Sequence, residues 1–166
     1  MILYSLAYTI KMSKKGSHQI KDYFDFVVPP LEGFWWQDGV KGIDYAHKER
    51  FNFISCVRMP KFVTDEVLAW AKKEAAIKKG LDFSPVKLLV LTEGKCVQIM
   101  HHGSYDDEPA TIAKMHQFIA KNDLGLDFSD QRRHHEIYLS NSQRTKLENL
   151  KTIICLPVKE KKMKND

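Results

Sequence analysis

The sequence predicts an α+β fold in which helices cover one face of a mainly antiparallel sheet. Two observations support this: strand-like segments occur in adjacent pairs, and helix-like segments with their own start and stop signals lie between the pairs. The chain has 166 residues, of which 43% are hydrophobic and 28% charged, as is usual for one globular domain. We therefore expect a single domain over 1–159 and a charged, flexible tail over 160–166.

Apolar residues at helical spacing predict three helices. The first covers 2–12. The second begins after Thr64, which is a good N-cap, and ends at Gly80, which suits a left-handed C-cap. The third follows the segment SYDDEP, with Pro109 in its first turn and acidic residues at its positive end. Its predicted core face consists of Ile112, Met115 and Ile119.

Alternating or β-branched segments predict the strands. They are 22–28, 32–37, RFNFISCVRM, VKLLVLT, KCVQIMHHG, HHEIYLS and LKTIICLPV. We expect VKLLVLT and KCVQIMHHG to form a hairpin around Glu93 and Gly94. The last three strands and the helix among them make a strand-helix-strand-strand repeat. The first helix and the strands after it show the same order without an opening strand, so the sequence predicts two related repeats.

The charge distribution and the hydropathy of the chain argue against nucleic acid and membrane as binding partners. The net charge is +5, but the lysines lie at helix ends and in the tail, and no helix-turn-helix, zinc-finger or RNA-binding aromatic pattern occurs. No apolar run approaches the roughly 20 residues that span a membrane. The N-terminal segment lacks the basic region and cleavage site of a signal peptide. We expect a cytoplasmic protein without direct nucleic-acid or membrane binding.

No sequence motif indicates a metal or cofactor. Cys56, Cys96 and Cys155 lie far apart in strand-like settings, so reduced thiols are expected. His101 and His102 point to opposite faces of a strand and therefore cannot share one metal. The motifs GxSxG, HExxH and a phosphate-binding glycine loop are absent. The sequence therefore predicts no metal and no cofactor.

The segment HHEIYLS carries an acid in the middle of a predicted strand. Alternate side chains of a strand share a face, so Glu136 and Tyr138 point one way while Ile137 and Leu139 point the other. We expect the two apolar residues to pack against the helices. Glu136 would then lie on the side of the sheet away from them.

Two functional interpretations of Glu136 follow from its surroundings. A carboxylate among aromatic rings can act as a general base or orient a water molecule, and it can also complement a cationic ligand. The alternative is structural, either an exposed glutamate on an edge strand or one paired with Arg132 or Arg133.

Aromatic residues provide the other candidates for a binding surface. Trp35 and Trp36 are adjacent in a strand, so only one of them can enter a given core, and the other must line a surface or groove. Tyr105 lies where a strand turns into a helix N-terminus, a common position for functional side chains.

Several long segments resemble one family. YSLAYTIKMSKKG, PLEGFWW, VQIMHHGSYDDEPATIAKMHQF and HHEIYLSNSQRTKLENLKTIICLPV are similar to stand-alone members of the GyrI-like small-molecule-binding superfamily. The resemblance implies two strand-helix-strand-strand repeats related by a pseudo-twofold axis, with a ligand cleft between them. The family includes effector domains of multidrug-responsive regulators and proteins that protect DNA gyrase. One subgroup hydrolyses spirocyclopropane DNA-alkylating natural products.

The resemblance also implies roles for individual residues. Glu136 corresponds to the cleft glutamate of drug-binding and hydrolytic members, and Trp35 and Trp36 to the aromatic wall. Tyr105 and Tyr8 resemble further cleft residues. The predicted binding surface is completed by Tyr138, Phe53 and Met100.

The implied function is cofactor-free hydrolysis of a hydrophobic aromatic molecule, with Glu136 and Tyr105 as catalytic residues. The alternative is sequestration of amphipathic or cationic drugs in the same cleft. A gyrase-protecting role rests on fold analogy alone. Family members carry a strand before the first helix, and this sequence starts at that helix. We therefore expect either a less well supported sheet edge or a homodimer that covers it.

Overall fold

The structure is a computed structural model that describes residues 2–161. Within this range it contains three α-helices, six β-strands and four short 3₁₀ turns. The chain divides into two compact units. The helical unit comprises 2–30 and 56–90, and the sheet unit comprises 31–55 and 91–161.

The helical unit is built on two helices, α1 (Ile2–Lys11) and α2 (Asp65–Lys79). The Thr64 hydroxyl caps α2 by accepting the Val67 N–H, and Gly80 ends it with a φ of 64°, a conformation that glycine adopts without strain. Both caps confirm the prediction. The core shared by the two helices contains Leu6, Ile10, Ile20, Phe62, Val63, Leu68, Ala71, Ala75 and Phe83.

The strand predicted over 22–28 is wrong. Three aromatic side chains of this segment, Tyr23, Phe24 and Phe26, instead gather around the ring of Phe62, with ring centroids 5.2, 5.2 and 5.9 Å from it. Val27 is 87% exposed. The segment is therefore held by aromatic packing against Phe62, and it forms no strand ladder.

The sheet unit contains the strands and one helix. The strands are β1 (Leu31–Trp36), β2 (Asn52–Val57), β3 (Cys96–His102), β4 (Leu124–Leu126), β5 (His134–Tyr138) and β6 (Lys151–Glu160). Their order is β2-β1-β5-β6-β3, with β4 paired to β6. The ladders β1–β5, β5–β6, β3–β6 and β4–β6 are all antiparallel. This open sheet and the three helices of the chain confirm the α+β prediction, although the three residues of β4 were not predicted.

Helix α3 (Glu108–Lys121) packs on one face of this sheet, here named the α3 face. Ile112, Met115 and Ile119 form a core with Ile154 and Leu156 of β6. Side chains that are opposite each other in an antiparallel ladder lie on the same side.

The register places Glu136 on the α3 face. Glu136 is opposite Ile154, and Ile137 is opposite Ile153 on the other side of the sheet. The prediction that Glu136 faces away from the helices is therefore wrong. The apolar residues that α3 needs come from β6, so the neighbours of Glu136 in its own strand do not determine which face the helix covers.

The hairpin predicted for VKLLVLT is also wrong. Residues 86–92 form no strand, and Leu88, Leu89, Val90 and Leu91 are exposed, Val90 by 94%. All seven residues of β3 pair with β6. The carbonyl oxygen of Glu93 is bound by the Arg132 guanidinium at 3.0 Å, so it serves a side chain where a hairpin would need a ladder bond.

None of the helices within 2–161 has both the length and the apolar content that a membrane crossing requires. The strand β6 continues to Glu160. The rest of the predicted tail, from 162 onward, lies outside the described residues.

Candidate functional site

Glu136 is the centre of a hydrogen-bonded group on the α3 face. His134 Nε2 lies 2.8 Å from Glu136 Oε1, and the Tyr138 hydroxyl donates to Glu136 Oε2 at 2.7 Å. All three residues come from β5 at alternate positions, which brings them to one side of the strand. Glu136 is only 6% exposed, so these partners supply the hydrogen bonds that water would otherwise make.

A second hydrogen bond ties this group to the neighbouring strand. The Trp35 indole N–H donates to the Tyr138 oxygen at 2.8 Å. The bond passes over Gly33, which is opposite Glu136 in the β1–β5 ladder. A Cβ atom at Gly33 would lie 2.7 Å from the Tyr138 oxygen and 2.8 Å from the Trp35 nitrogen. A side chain at position 33 would therefore displace the Tyr138 hydroxyl or the Trp35 indole.

Aromatic rings surround the carboxylate. The Trp35 ring contacts Phe51 and Phe53, with centroid distances of 5.9 and 5.1 Å, and Phe51 contacts Tyr45 at 6.1 Å. Phe53 is 59% exposed. Exposed and half-buried rings beside a polar centre can stack on a flat ligand.

The turn between β3 and α3 brings further polar groups to the α3 face. The buried His101 holds this turn, with Nδ1 2.8 Å from the Thr111 hydroxyl and Nε2 2.9 Å from the Ser104 carbonyl oxygen. Tyr105 follows, and its ring meets that of Tyr138 edge to face at 6.0 Å. Two of the predicted site residues therefore lie near Glu136: Tyr105, which the turn carries, and Tyr138, which β5 carries.

Glu108, the first residue of α3, is the second carboxyl group of the site. It is 3% exposed, and the Tyr45 hydroxyl lies 3.5 Å from its Oε2. Among the described residues no hydrogen-bond partner reaches its Oε1. Burial, followed by the charge of Glu136, raises the pKa of Glu108 to about 8. Glu108 therefore holds a proton at neutral pH.

The phenols of the site are kept protonated. Burial and then the charge of Glu136 raise the pKa of Tyr138 well above its usual range. Burial and then Glu108 do the same for Tyr45. The pKa of Tyr105 is raised as well, first by burial. These hydroxyls can therefore donate hydrogen bonds at any physiological pH.

The opposite face of β5 carries a separate polar group. His135 Nε2 lies 2.9 Å from Glu32 Oε2, and its Nδ1 lies 2.8 Å from Glu93 Oε1. Burial disfavours the charged ring, but hydrogen bonds to Cys155, Glu32 and Glu93 outweigh it and raise the pKa of His135 to about 11. The Phe34 ring stacks on this imidazole at 4.2 Å.

Two predicted residues lie on the face of the sheet opposite Glu136, and a third belongs to the helical unit. Trp36 lies on the opposite face, where the Arg133 guanidinium stacks 3.5 Å from its ring centroid. Met100 is opposite Ile153 and therefore also lies on that face. Tyr8 belongs to α1 and lines a cavity of about 740 Å³ in the helical unit.

The two proposed ion pairs of Glu136 are not found. Arg132 forms a salt bridge with Asp127, and Arg133 stacks on the indole of Trp36. The structural alternative for Glu136 therefore does not describe this residue.

Sequence reasoning missed His134, Tyr45 and Glu108 as members of the site. His134 shares a face with Glu136, so strand alternation could have identified it. Glu108 was interpreted only as a favourable charge at a helix N-terminus. No local signal links it to Glu136, because the contact depends on the packing of α3 against the sheet.

The family model for GyrI-like small-molecule-binding domains matches residues 3–159. The chain belongs to this family. Three solved structures from Listeria innocua are similar to it, and each match covers 95% of this chain. Two are described as hydrolases, with 47% and 48% identity, TM-scores of 0.85 and 0.86, and 76% and 77% of their own length covered. The third is described as an uncharacterized conserved protein, with 49% identity, a TM-score of 0.87 and 77% covered. No curated protein matches the chain. The described GyrI-like site is thus an aromatic surface around two buried carboxyl groups.

Proposed function

We propose that this GyrI-like protein is a hydrolase that opens the cyclopropane ring of hydrophobic, aromatic, DNA-alkylating compounds by adding water. The proposal is carried by one observation, the pair of carboxyl groups Glu136 and Glu108 on the aromatic α3 face. Hydrolase is the description of two of the similar Listeria structures, which supports the reaction class.

Glu136 is the general base in this proposal. His134 and Tyr138 hold the carboxylate in one orientation, and two bonded oxygens still leave lone pairs for a water molecule. Glu136 takes a proton from that water while the oxygen attacks a ring carbon of the cyclopropane. The strained C–C bond breaks, and its electron pair moves to the conjugated carbonyl of the substrate.

Glu108 and Tyr105 act on the other side of the reaction. The carbonyl oxygen gains negative charge as the ring opens, and a hydrogen bond from Tyr105 stabilises that charge. The Tyr138 O–H is already donated to Glu136, so Tyr105 is the better donor. Glu108 gives its proton to the oxygen, and solvent exchange returns the proton from Glu136 to Glu108. The net change is the addition of one water.

The test is turnover by the purified wild type and the Glu136→Gln variant. Each is incubated with a spirocyclopropane alkylator, and the product is followed by mass spectrometry. We expect a product heavier by one water, and a rate reduced at least about 100-fold in the variant. Glu49→Gln is the control, because that side chain is exposed and pairs with Arg50.

Full turnover by Glu136→Gln would contradict the assignment of Glu136 as the general base. Binding without turnover, in both proteins, would favour the second candidate function, which is sequestration of cationic aromatic drugs. The observation in its favour is the same buried carboxylate surrounded by rings, an arrangement that suits cation–π contacts. In that case Glu136→Gln weakens cationic ligands much more than neutral ligands of the same shape.

A further inference from the structure

A glutamate, a histidine and a cysteine converge on the face of the sheet opposite α3. Their ligand-capable atoms, on Glu93, His135 and Cys155, all lie within 4.8 Å of one another. Glu93 precedes β3, whereas His135 and Cys155 are directly opposite each other in the β5–β6 ladder. The histidine and cysteine are buried, but the Glu93 side chain is 33% exposed, which opens the group to solvent.

Two further side chains hold these three in place. Glu32 Oε2 lies 2.9 Å from His135 Nε2, which turns Nδ1 towards Glu93. The Gln98 amide donates to Cys155 Sγ at 3.2 Å, and this bond orients the sulfur. Metal-bound histidines almost always donate their second ring N–H to a carboxylate or carbonyl. The outer partners of a metal site are thus already assembled.

We infer that Glu93, His135 and Cys155 bind a Zn²⁺-type divalent cation, with Glu32 as the positioning residue behind the histidine. An imidazole nitrogen, a thiolate sulfur and a carboxylate oxygen are the donors that zinc takes in proteins, and their combination disfavours Mg²⁺ and Ca²⁺. The site lies on the face of β5 that does not carry Glu136, so it is separate from the proposed hydrolytic group.

The donor atoms of the group are already side by side, since His135 Nδ1 lies 2.8 Å from Glu93 Oε1. A cation binds the deprotonated forms of such ligands, so metal binding is coupled to the release of protons. The neighbouring Arg132 is already paired with Asp127.

Three protein ligands leave one of four tetrahedral positions open. The Glu93 side chain is partly exposed, so solvent water has access to the group and can take the open position.

The experiment is a titration of the purified, tag-free, chelator-treated protein with Co²⁺ alone, followed by Zn²⁺. We expect one Co²⁺ per chain and a near-ultraviolet charge-transfer band, because a thiolate ligand produces that band and a purely structural thiol does not. Zn²⁺ should remove it. Cys155→Ser should abolish the band, and Cys56→Ser, whose thiol is not one of the three ligands, should retain it.

A second pair of variants separates metal binding from folding. Glu32→Gln should weaken Co²⁺ affinity about 10- to 100-fold and keep the band, since it acts only through His135. Glu93→Gln, at the partly exposed ligand, should also weaken binding, and circular dichroism confirms that each variant is folded. No band at saturating Co²⁺, or a band that persists in Cys155→Ser, would overturn the site. Both readouts are independent of hydrolysis.

Discussion

The two faces of β5 carry two histidine–carboxylate groups of opposite character. On the α3 face, His134 and Glu136 bond each other, and among the described residues His134 Nδ1 and Glu108 Oε1 find no protein partner. On the other face, both nitrogens of His135 are bonded to carboxylates. Buried polar groups are normally satisfied, and exceptions mark places where something else binds or reacts. The comparison indicates an α3 face on which polar atoms are left available for chemistry, and an opposite face on which His135 is already oriented for the inferred cation.

The largest expected effect separates the two histidines. His135→Ala removes the positive charge between Glu32 and Glu93 and should lower the free energy of unfolding by about 3–5 kcal/mol. His134→Ala should cost about 1–3 kcal/mol, because it removes one hydrogen bond of Glu136. Urea unfolding of both variants measures the difference. Equal losses would contradict the distinction between the faces.

The second effect is a pH dependence of the free energy of unfolding, and it arises from Glu108 on the α3 face. The folded-state pKa of Glu108 is raised from 4.5 to about 8, so its contribution to stability is complete below pH 4.5 and is lost as the pH rises through 8. The loss is at most about 5 kcal/mol, at about 1.4 kcal/mol per pKa unit. The groups that face Glu108 are Tyr45, Glu136 and Lys48.

Glu108→Gln tests this sign. The variant lacks the titrating group, so the stability of the wild type should fall relative to the variant between pH 5 and pH 8. Urea unfolding at several pH values gives the difference, and subtraction cancels the other titrating groups. A constant difference across this range would show that Glu108 titrates normally.

A smaller effect tests whether the α3 face has room for a side chain at position 33. In Gly33→Ala the added Cβ meets the atoms of the Trp35–Tyr138 hydrogen bond, so the bond must open, and we expect a loss of about 1–3 kcal/mol. Gly125→Ala is the matched control in the same unit, since its Cβ has ordinary contacts only. Thermal unfolding compares the two. Similar melting temperatures would mean that the network yields without cost.

The smallest effect concerns one hydroxyl. Tyr138→Phe keeps the ring and removes both the donor to Glu136 and the acceptor of the Trp35 N–H. We expect a loss of about 1–2 kcal/mol, since each of the two bonds has a net value of about 1 kcal/mol or less. Chemical denaturation is sensitive enough to detect it. A gain in stability would indicate that the hydroxyl is strained in its present position.

Much of the local structure was readable from the sequence. Thr64 and Gly80 fixed the ends of α2 because caps depend on neighbours in the chain. The alternation of β5 separated Glu136 from Ile137, and that of β1 separated Trp35 from Trp36. Each of these predictions needs only a few consecutive residues.

The sites formed by residues that are distant in the chain could not be predicted from the sequence in the same way. The approach of Glu108 to Glu136 depends on where α3 lies, and the meeting of Glu93 with His135 and Cys155 depends on sheet order. Spacing rules search for ligands that are close in the chain, and here 42 residues separate Glu93 from His135. The face on which α3 packs was mispredicted for the same reason, since β6 supplies its apolar partners.

The alternation of β5 also has an evolutionary consequence. Inserting or deleting one residue between His134 and Tyr138 would exchange the side chains of the two faces, so both groups would be lost in one step. Substitutions would alter one group at a time. We therefore expect natural variants to preserve the length of this strand strictly, while the exposed connection at 141–146 changes length freely.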